Sequence, residues 1–269
     1  MSNKESLIAL KDIGVTYNSG GKNEVAAITD INLQIKSREF IAVLGPSGCG
    51  KSTLLNVLAG FVKPSCGDAL MNGKPITAPN FQRGVMFQTP VLYPWLSVKE
   101  NVEFGLKMRN FDKKGRSKLS DKYLKDVELF EFKNHKPYEL SGGMRQRAAL
   151  ARALASSPSI ILLDEPFGAL DAFTKINMQI LTRTVWSMDK SAFFLITHDV
   201  DEALSLATRA LVMSKRPGKI IKEFNIEFTY HINETVSDKI RFSKEYISLR
   251  EEILSLIYRQ TSDESGYVI

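Results

Sequence analysis

The sequence lacks a long hydrophobic run, an internal repeat and any low-complexity segment. No apolar stretch approaches the ~18 residues that a membrane-spanning helix needs, so we expect no part of the chain to lie within a bilayer. Residues 1–6 also lack the long apolar stretch of a secretory signal. These absences predict a cytoplasmic protein, which a partner would have to hold at any membrane on which it acts.

Cysteine is equally scarce. The two cysteines, Cys49 and Cys66, do not have the spacing of a metal site, and we expect both to be free thiols in a reducing compartment. The formal net charge of +6 raises the question of nucleic-acid binding, but the basic residues are scattered apart from a small group at residues 113–118. We interpret this group as a solvated surface loop and expect no nucleic-acid partner.

The most informative stretch is residues 45–52, Gly-Pro-Ser-Gly-Cys-Gly-Lys-Ser. The apolar residues 40–44 before it favour a strand, and residues 53–59 after it are apolar at helical spacing. A glycine loop between a strand and a helix is the context that a phosphate-binding loop requires. An ordinary glycine-rich turn is the alternative, but here the pattern matches at every fixed position.

The residue types of this loop suit a triphosphate. Its three glycines allow sharp backbone bends that bring N–H groups close to phosphate oxygens. The helix that follows points its first N–H groups and its positive dipole end at the same anion. Lys51 can reach the β- and γ-phosphates, Ser52 offers a hydroxyl to Mg²⁺, and Thr53 adds a further hydroxyl donor.

Strand and helix patterns along the chain predict an α/β protein. Two early strands, residues 7–17 and 26–35, are joined by a connection too short for a crossover helix, so we expect them to be antiparallel. The remaining elements are predicted from apolar periodicity and turn residues: strands at 69–71 (closed by a hairpin at Asn72-Gly73), 83–88, 160–163, 192–196 and 210–213, and helices at 98–109, 119–129, 141–155, 175–189, 201–207 and 244–260.

Strand signals disappear between residues 89 and 157, and helical patterns replace them. This change predicts a helical subdomain at residues 89–157, inserted into a nucleotide-binding core with a β subdomain made of residues 1–88 and 158–220. Residues 221–269 are expected to form a C-terminal helical tail. One face of the tail helix carries apolar residues that predict packing on the body of the protein: Tyr246, Leu249, Ile253, Leu256 and Ile257.

Polar side chains follow several of the predicted buried strands. Asp164 and Glu165 come directly after one of them, and the carboxyl ends of strands in an open α/β sheet lie beside the ligand site. Asp164 suits Mg²⁺ coordination through a water, and Glu165 suits a general-base or water-orienting role. His198 and Gln88 also end strands. A structural role for His198 fits the residues as well as contact with a γ-phosphate does, and Gln88 alone is a weak signal.

A second anion site is predicted where residues 140–147 open a helix. Ser141 is a good N-cap, and Gly142 and Gly143 leave backbone N–H groups exposed at the helix N-terminus. A plain N-capped helix with a glycine-softened start is the alternative.

Taken together, these motifs resemble the nucleotide-binding ATPase subunits of ABC transporters, and the resemblance covers nearly the whole chain, to about residue 220. It implies a P-loop NTPase (RecA-like) core with an antiparallel β subdomain and an inserted helical subdomain. The motifs fall in the order of the family: an aromatic for adenine stacking at Tyr17, Walker A at residues 45–52, the Q-loop glutamine Gln88, the signature motif at 140–146, Walker B at 160–164, the catalytic glutamate Glu165, the D-loop at 169–171 and the switch histidine His198.

The resemblance implies ATP and Mg²⁺ as ligands of these motifs. Catalytic roles would fall to Glu165, His198, Lys51 and Gln88, and Mg²⁺ would be held by Ser52, Gln88 and Asp164. The nucleotide would be bound by Tyr17, Gly45, Pro46, Ser47, Gly48, Cys49, Gly50, Lys51, Ser52 and Thr53, and by Ser141, Gly142 and Gly143 acting from a second subunit.

The resemblance further implies a dimer of ATP-binding subunits, with an identical chain as the simplest partner. It also implies transmembrane permease subunits that hold the dimer at the cytoplasmic side of the membrane, and indirectly a solute-binding protein. Residues 87–95, 166–174 and 214–220 resemble the nitrate, sulfonate and taurine importer branch, although Thr89 and Tyr93 depart from its commonest forms. An exporter ATPase or a soluble ABC protein that is not a transporter is the alternative.

Residues 90–96 would lie near the groove that receives the coupling helix of the permease. Tyr93, Trp95 and Leu96 are candidates for that contact. Internal packing of the helical subdomain explains the same residues equally well.

Overall fold

The computed structural model describes residues 6–21, 23–227 and 240–262, with side chains up to residue 260. Within these residues, no helix combines the length and the apolar character needed to cross a membrane. The strands and helices follow one another along the chain in the order β1 (Ile8–Tyr17), β2 (Val25–Ile35), β3 (Phe40–Leu44), α1 (Lys51–Ala59), β4 (Cys66–Met71), β5 (Lys74–Pro75), β6 (Arg83–Met86), α2 (Val98–Met108), α3 (Lys113–Asp126), α4 (Gly142–Ala155), β7 (Ile160–Asp164), α5 (Ala172–Met188), β8 (Ala192–Ile196), α6 (Val200–Leu206), β9 (Arg209–Met213), β10 (Ile220–Asn225) and α7 (Lys244–Ser262).

The chain divides into two compact units. The first comprises Met1–Pro79 and Phe194–Ile269, and the second comprises Asn80–Phe193. Strand β8 contributes residues to both units.

The first unit contains an antiparallel sheet with the strand order β2-β1-β4-β5. Ile8 pairs with Ile35 of β2 on one side and with Met71 of β4 on the other, which confirms the predicted antiparallel arrangement of the early strands. The turn between β4 and β5 is made by Asn72 and Gly73, both with positive φ, as the hairpin prediction requires.

A second set of strands in the first unit carries the loop of residues 45–52. Strand β3 runs parallel to β9, and β10 pairs with β9 in the antiparallel sense. All five residues of β3 are buried, as expected for a strand covered on both faces. The backbone N–H of Thr197 donates to the carbonyl oxygen of Val43 over 3.2 Å, so the segment that follows β8 lies beside the end of β3.

In the second unit, β6 runs parallel to β7. Helices α2, α3 and α4 pack against one another, and α4 also contacts β6 and α5. Side chains cap the start of each of these helices, which explains where they begin. The caps are Ser97 for α2, with Glu100 completing a capping box, Asp112 for α3, Ser141 for α4 and Asp171 for α5.

Three local predictions need correction. Residues 113–118 are not a loop but the first part of α3, because Asp112 caps the helix through the N–H of Gly115. The strand predicted at 83–88 ends at Met86, and Met86 is its only fully buried residue, so Gln88 lies two residues beyond it. The C-terminal tail predicted as helical begins with strand β10.

The tail helix packs as its apolar face predicts. Tyr246 and Ile253 of α7 are buried, and the helix contacts α6 and β9 in the first unit. The last residues, 263–269, lie outside the described part of the chain.

Candidate functional site

The loop between β3 and α1 closes around the side chain of Lys51. The Lys51 ammonium donates to the carbonyl oxygens of Gly45 and Pro46, each over 2.8 Å. Only 7% of the Lys51 residue is exposed, which is rare for lysine. The loop therefore holds one positive charge at the N-terminus of α1, where the helix dipole also favours an anion.

The sharp course of this loop depends on glycine at two positions. Gly50 has φ +102°, and a Cβ placed there would lie 2.4 Å from Ile28 Cγ2 and 2.8 Å from the carbonyl oxygen of Ala27. Gly48 has φ +73°, but a Cβ there would meet nothing within 4 Å. Gly50 is thus required by close packing on β2, whereas Gly48 is required by its backbone angle alone.

Both cysteines are free thiols, as predicted. Cys49 is buried within the loop, and this burial raises the pKa of its thiol, an effect that the nearby Lys51 ammonium opposes. Because the thiol form is favoured, Cys49 behaves as a small apolar residue that supports the loop.

Tyr17 lies at the end of β1 with 39% of the residue exposed. Its hydroxyl is 3.3 Å from Thr53 Oγ1 in the first turn of α1. The structure therefore places this aromatic ring next to the helix that the loop opens, and leaves part of it accessible.

His198 is also in the first unit, on an exposed turn between β8 and α6. Its neighbours are held in place: the N–H of Asp199 donates to Thr197 Oγ1 over 3.0 Å, and the Thr197 hydroxyl donates to the buried Glu202. The bond between Thr197 and Val43 sets this turn beside the end of β3, which leads into the loop at residues 45–52.

In the second unit, Glu165 follows β7 with φ +44°, a backbone conformation that is uncommon for residues other than glycine. The N–H of Gly168 donates to the Glu165 carbonyl oxygen over 3.2 Å. A Cβ on Gly168 would lie 3.8 Å from Glu165 Oε2 and 3.7 Å from Gln88 Nε2. The carboxylate of Glu165 and the amide of Gln88 thus converge on the same point, and Asp164 precedes them at the end of β7. Strained backbone of this kind clusters at functional sites.

The start of α4 differs sharply between its two glycines. Ser141 and Gly142 are exposed, and a Cβ on Gly142 would meet nothing within 4 Å. Gly143 is buried, and a Cβ there would lie 2.5 Å from Thr174 Cγ2 of α5. Ser141 Oγ accepts a hydrogen bond from the N–H of Met144 over 3.2 Å, which confirms the predicted N-cap.

Gln146 is a residue of this site that the sequence did not single out. Its Nε2 donates to the backbone carbonyl oxygen of Gln88 over 3.0 Å, and the residue is buried. No local pattern could have revealed this contact, because the two residues are 58 positions apart.

The structure groups the predicted site residues by unit. The first unit holds Tyr17, residues 45–53 and His198; the second holds Gln88, residues 141–143, Asp164 and Glu165. Among the described residues, no three or more His, Cys, Asp or Glu side chains cluster as a metal site. The hydroxyl, amide and carboxylate predicted to hold Mg²⁺ are oxygen ligands of the type this ion takes, together with waters and phosphate oxygens, rather than a protein cage.

Comparison with known proteins identifies the family. The family model described as ABC transporter matches residues 28–168. The taurine import ATP-binding protein TauB of Roseobacter denitrificans is 42% identical over 259 residues, which cover 96% of this chain and 97% of that protein. The protein of the same name from Yersinia pestis bv. Antiqua is 44% identical over 235 residues, covering 87% and 92%.

Solved structures agree. The dimeric bacterial ABC transporter cassette MJ0796 is 34% identical, with a TM-score of 0.71 over 81% of this chain and 98% of that one. CbiO1 from Clostridium perfringens, part of an ABC transporter complex, is 27% identical, with a TM-score of 0.76 over 92% and 99%. The predicted fold class, a P-loop NTPase core, is confirmed by these neighbours. The chain belongs to the ABC transporter family, and it is one of the ATP-hydrolysing proteins of that family.

Proposed function

We propose that the chain is the ATP-hydrolysing subunit of an importer that carries taurine or a related small sulfonate across the cytoplasmic membrane. Relatives named as taurine import ATP-binding proteins match nearly the whole chain, which supports this assignment. The solute itself would be handled by the permease and a solute-binding protein. The chain would supply the energy of ATP hydrolysis from the cytoplasmic side.

The loop of residues 45–52 would bind the phosphates of ATP. Lys51 presents a positive charge that the loop already encloses, and the N–H groups at the start of α1 add donors. Tyr17 would stack on the adenine, and its exposed fraction leaves a ring face accessible. Thr53 would contribute a hydroxyl donor.

Ser52, Gln88 and Asp164 would hold Mg²⁺, whose donor preference they match. When bound, the ion neutralises charge on the β- and γ-phosphates.

Glu165 would orient the water that attacks the γ-phosphate. Attack in line with the leaving oxygen requires a fixed water, and a carboxylate held in an unusual backbone conformation is suited to hold one. His198 would contact the γ-phosphate, and Gln88 would report its presence through the amide group that lies near Glu165. Lys51 would stabilise the charge that develops on the departing phosphate.

Two copies of the chain would meet head to tail, with the start of α4 from one copy closing on the nucleotide of the other. Ser141 and Gly142 are exposed, as residues that act on a second subunit must be. The dimeric cassette of MJ0796 and a second structure of it bound to ADP and Pi support this arrangement. Gly143 would bind the nucleotide through its backbone N–H, and its packing against Thr174 leaves no room for a larger side chain there.

Residues 1–88 and 158–220 would form the nucleotide-binding core, with the helical subdomain, residues 89–157, inserted into it. The permease would bind this helical subdomain. Trp95 is 69% exposed and Val91 is also exposed, so both are available for this contact. Tyr93 packs inward, with its ring centroid 4.6 Å from that of Phe104, and would support the surface from below. This contact would hold the chain at the cytoplasmic side of the membrane.

The geometry at Glu165 carries the proposal, because its positive φ is uncommon for glutamate and its carboxylate approaches the same point as the Gln88 amide. The first test compares steady-state ATP hydrolysis of the purified chain with its Glu165→Gln variant, and measures the size of the variant with and without ATP. We expect turnover to fall by at least about 100-fold and the variant to form a dimer only with ATP. Unchanged turnover together with an ATP-independent monomer would overturn the proposed mechanism.

A second experiment tests the solute and the direction of transport. Cells in which the chain carries Lys51→Ala should lose uptake of labelled taurine, and unlabelled sulfonates should compete with taurine in cells with the native chain. Retained uptake in the Lys51→Ala cells would contradict the import assignment. Loss of efflux instead of uptake would favour the exporter alternative.

A further inference from the structure

The carboxylate of Asp201 in α6 forms hydrogen bonds with α7, which is distant from it in sequence. Its Oδ1 accepts a hydrogen bond from the Tyr246 hydroxyl over 2.8 Å and another from Arg250 Nε over 2.9 Å. Tyr246 and Arg250 are one helical turn apart on α7, so they share a face of that helix. Two donors of the C-terminal helix therefore bind the carboxylate of Asp201 in α6.

That carboxylate lies in the first turn of α6, immediately after the turn that carries His198. The side chain of Asp199 caps α6 by accepting from the N–H groups of Asp201 over 2.8 Å and Glu202 over 3.3 Å. The N–H of Asp199 in turn donates to Thr197 Oγ1. A continuous chain of hydrogen bonds thus runs from α7 through Asp201 to the residues on either side of His198.

Both donors are held in their hydrogen-bonding state. Only 3% of the Tyr246 residue is exposed, and burial, followed by its bond to Asp201, raises the pKa of its hydroxyl. The hydroxyl therefore keeps its proton throughout the neutral range. The bond to Asp201 likewise raises the pKa of Arg250, so the guanidinium stays charged.

Other contacts also attach α7 to the protein. Ile253 is fully buried on the same helix, and Lys222 of β10 forms an ion pair with Glu252. Helix α6 has seven residues, and five of them are buried: Val200, Glu202, Ala203, Leu204 and Leu206. Asp201 is the half-buried residue of its first turn, and the two donors from α7 fix the Asp201 carboxylate from outside the helix.

We infer that Tyr246 and Arg250 are positioning residues for ATP hydrolysis, which hold the turn of His198 through Asp201. The inference rests on the proposed role of His198. The C-terminal helix is then part of the hydrolytic apparatus without touching the nucleotide.

The test begins with Tyr246→Phe, which keeps the buried ring and removes only the hydroxyl. We expect kcat for ATP hydrolysis to fall about five-fold, as the loss of one hydrogen bond to a charged group permits, while KM for ATP stays within about two-fold. The KM should hold because the loop around Lys51 is untouched. Arg250→Gln should act in the same direction, and Arg250→Lys should recover part of the loss because it keeps the charge.

Glu252→Gln is the matched control, since Glu252 lies on the same helix and its replacement breaks the ion pair with Lys222 of β10 without touching Asp201. Its kcat should equal that of the native chain. If Glu252→Gln lowers kcat as much as Tyr246→Phe does, α7 acts only by being attached, and the inference fails.

A double-mutant cycle with His198→Ala decides whether the effect passes through His198. Tyr246→Phe should cause no further loss of kcat in the His198→Ala background. If the two losses multiply, the positioning role is wrong although His198 keeps its own role. If His198→Ala alone leaves kcat unchanged, the proposed role of His198 fails, and the inference falls with it.

Discussion

The side-chain amide of Gln146 donates to the main-chain carbonyl oxygen of Gln88 over 3.0 Å. This bond joins the buried side of α4 to the segment that follows β6. The position of Gln88 therefore depends in part on α4, whose exposed N-terminus is the proposed contact with a second subunit. The amide group of Gln88 in turn lies near Glu165. A movement of α4 would therefore act directly on the main chain at Gln88 through this hydrogen bond.

Replacing Gln146 with leucine tests this link. Gln146 Oε1 is buried and has no hydrogen-bond partner among the described residues, so an apolar side chain of similar volume removes one cost of burial. We expect the free energy of unfolding to stay within about 1 kcal/mol of the native value, or to rise. ATP hydrolysis should fall about five-fold. Both are measured on the purified chain, by urea unfolding and by steady-state turnover.

Gln179→Leu serves as the control for Gln146→Leu, since Gln179 is a buried glutamine of the same unit. It should leave turnover unchanged. A parallel drop in stability and turnover for Gln146→Leu would show that Gln146 only supports the fold.

The two loop glycines predict different costs for alanine. Gly50→Ala should lower the free energy of unfolding by about 3 kcal/mol, because its Cβ would collide with Ile28 and its φ is unfavourable for alanine. Gly48→Ala should cost only about 1 kcal/mol, since its Cβ meets open space and only the backbone angle opposes it. Urea unfolding of both variants measures the difference, and equal costs would contradict the packing argument.

The positive φ of Glu165 predicts that a non-glycine residue at this position lowers the free energy of unfolding. Glu165→Gly and Glu165→Gln both lack the carboxylate, so both should lose ATP hydrolysis. Glycine accepts the observed φ of +44° without strain, and it should therefore be more stable than glutamine there by about 1 kcal/mol. Thermal and urea unfolding of the two variants make the comparison, and a more stable glutamine variant would rule out backbone strain.

Stability at acid pH depends on the capping box of α2. Glu100 accepts a hydrogen bond from the backbone N–H of Ser97 over 2.6 Å, and this bond lowers the pKa of Glu100. The folded pKa lies below the unfolded value of about 4.3, so the stabilisation is complete above that value and is lost as the pH falls through the folded pKa. We expect the stability difference between the native chain and Glu100→Gln to shrink below about pH 4 in urea unfolding. A difference that does not vary with pH would show that the charge contributes nothing.

Much of the fold follows from local sequence. The strands at 160–163 and 192–196 were predicted correctly because continuous apolar runs of that length form strands buried on both faces. The early antiparallel pair followed from connection length, and the start of α4 followed from Ser141 as an N-cap. Each of these signals lies within a few neighbouring residues.

The errors arise where a local signal was weak or overridden. The charged residues 113–118 favoured the prediction of a loop. A helix begins there instead, because Asp112 caps it and because lysine and arginine are good helix formers. Strand β10 was missed because its sequence carries little apolar alternation. Among the described residues it pairs with β9 alone, and Phe224 is its one buried residue.

The candidate site divides in the same way. The motif residues could be predicted because their types and spacing reflect phosphate and magnesium chemistry. The supporting contacts could not, since Gln146 meets Gln88 across 58 positions and Tyr246 meets Asp201 across 45. The sequence correctly places Tyr246 on the buried face of α7, but the partner of its hydroxyl is decided by tertiary packing.

The contrast between Gly142 and Gly143 has a consequence for how this chain can vary. Residue 142 faces open space, so a change there costs the chain little by itself and is limited only by whatever molecule approaches that surface. Residue 143 is limited from within by Thr174, so any larger side chain there needs a smaller one at 174. Among descendants of this sequence, positions 143 and 174 should therefore change together, whereas position 142 is free of that internal constraint.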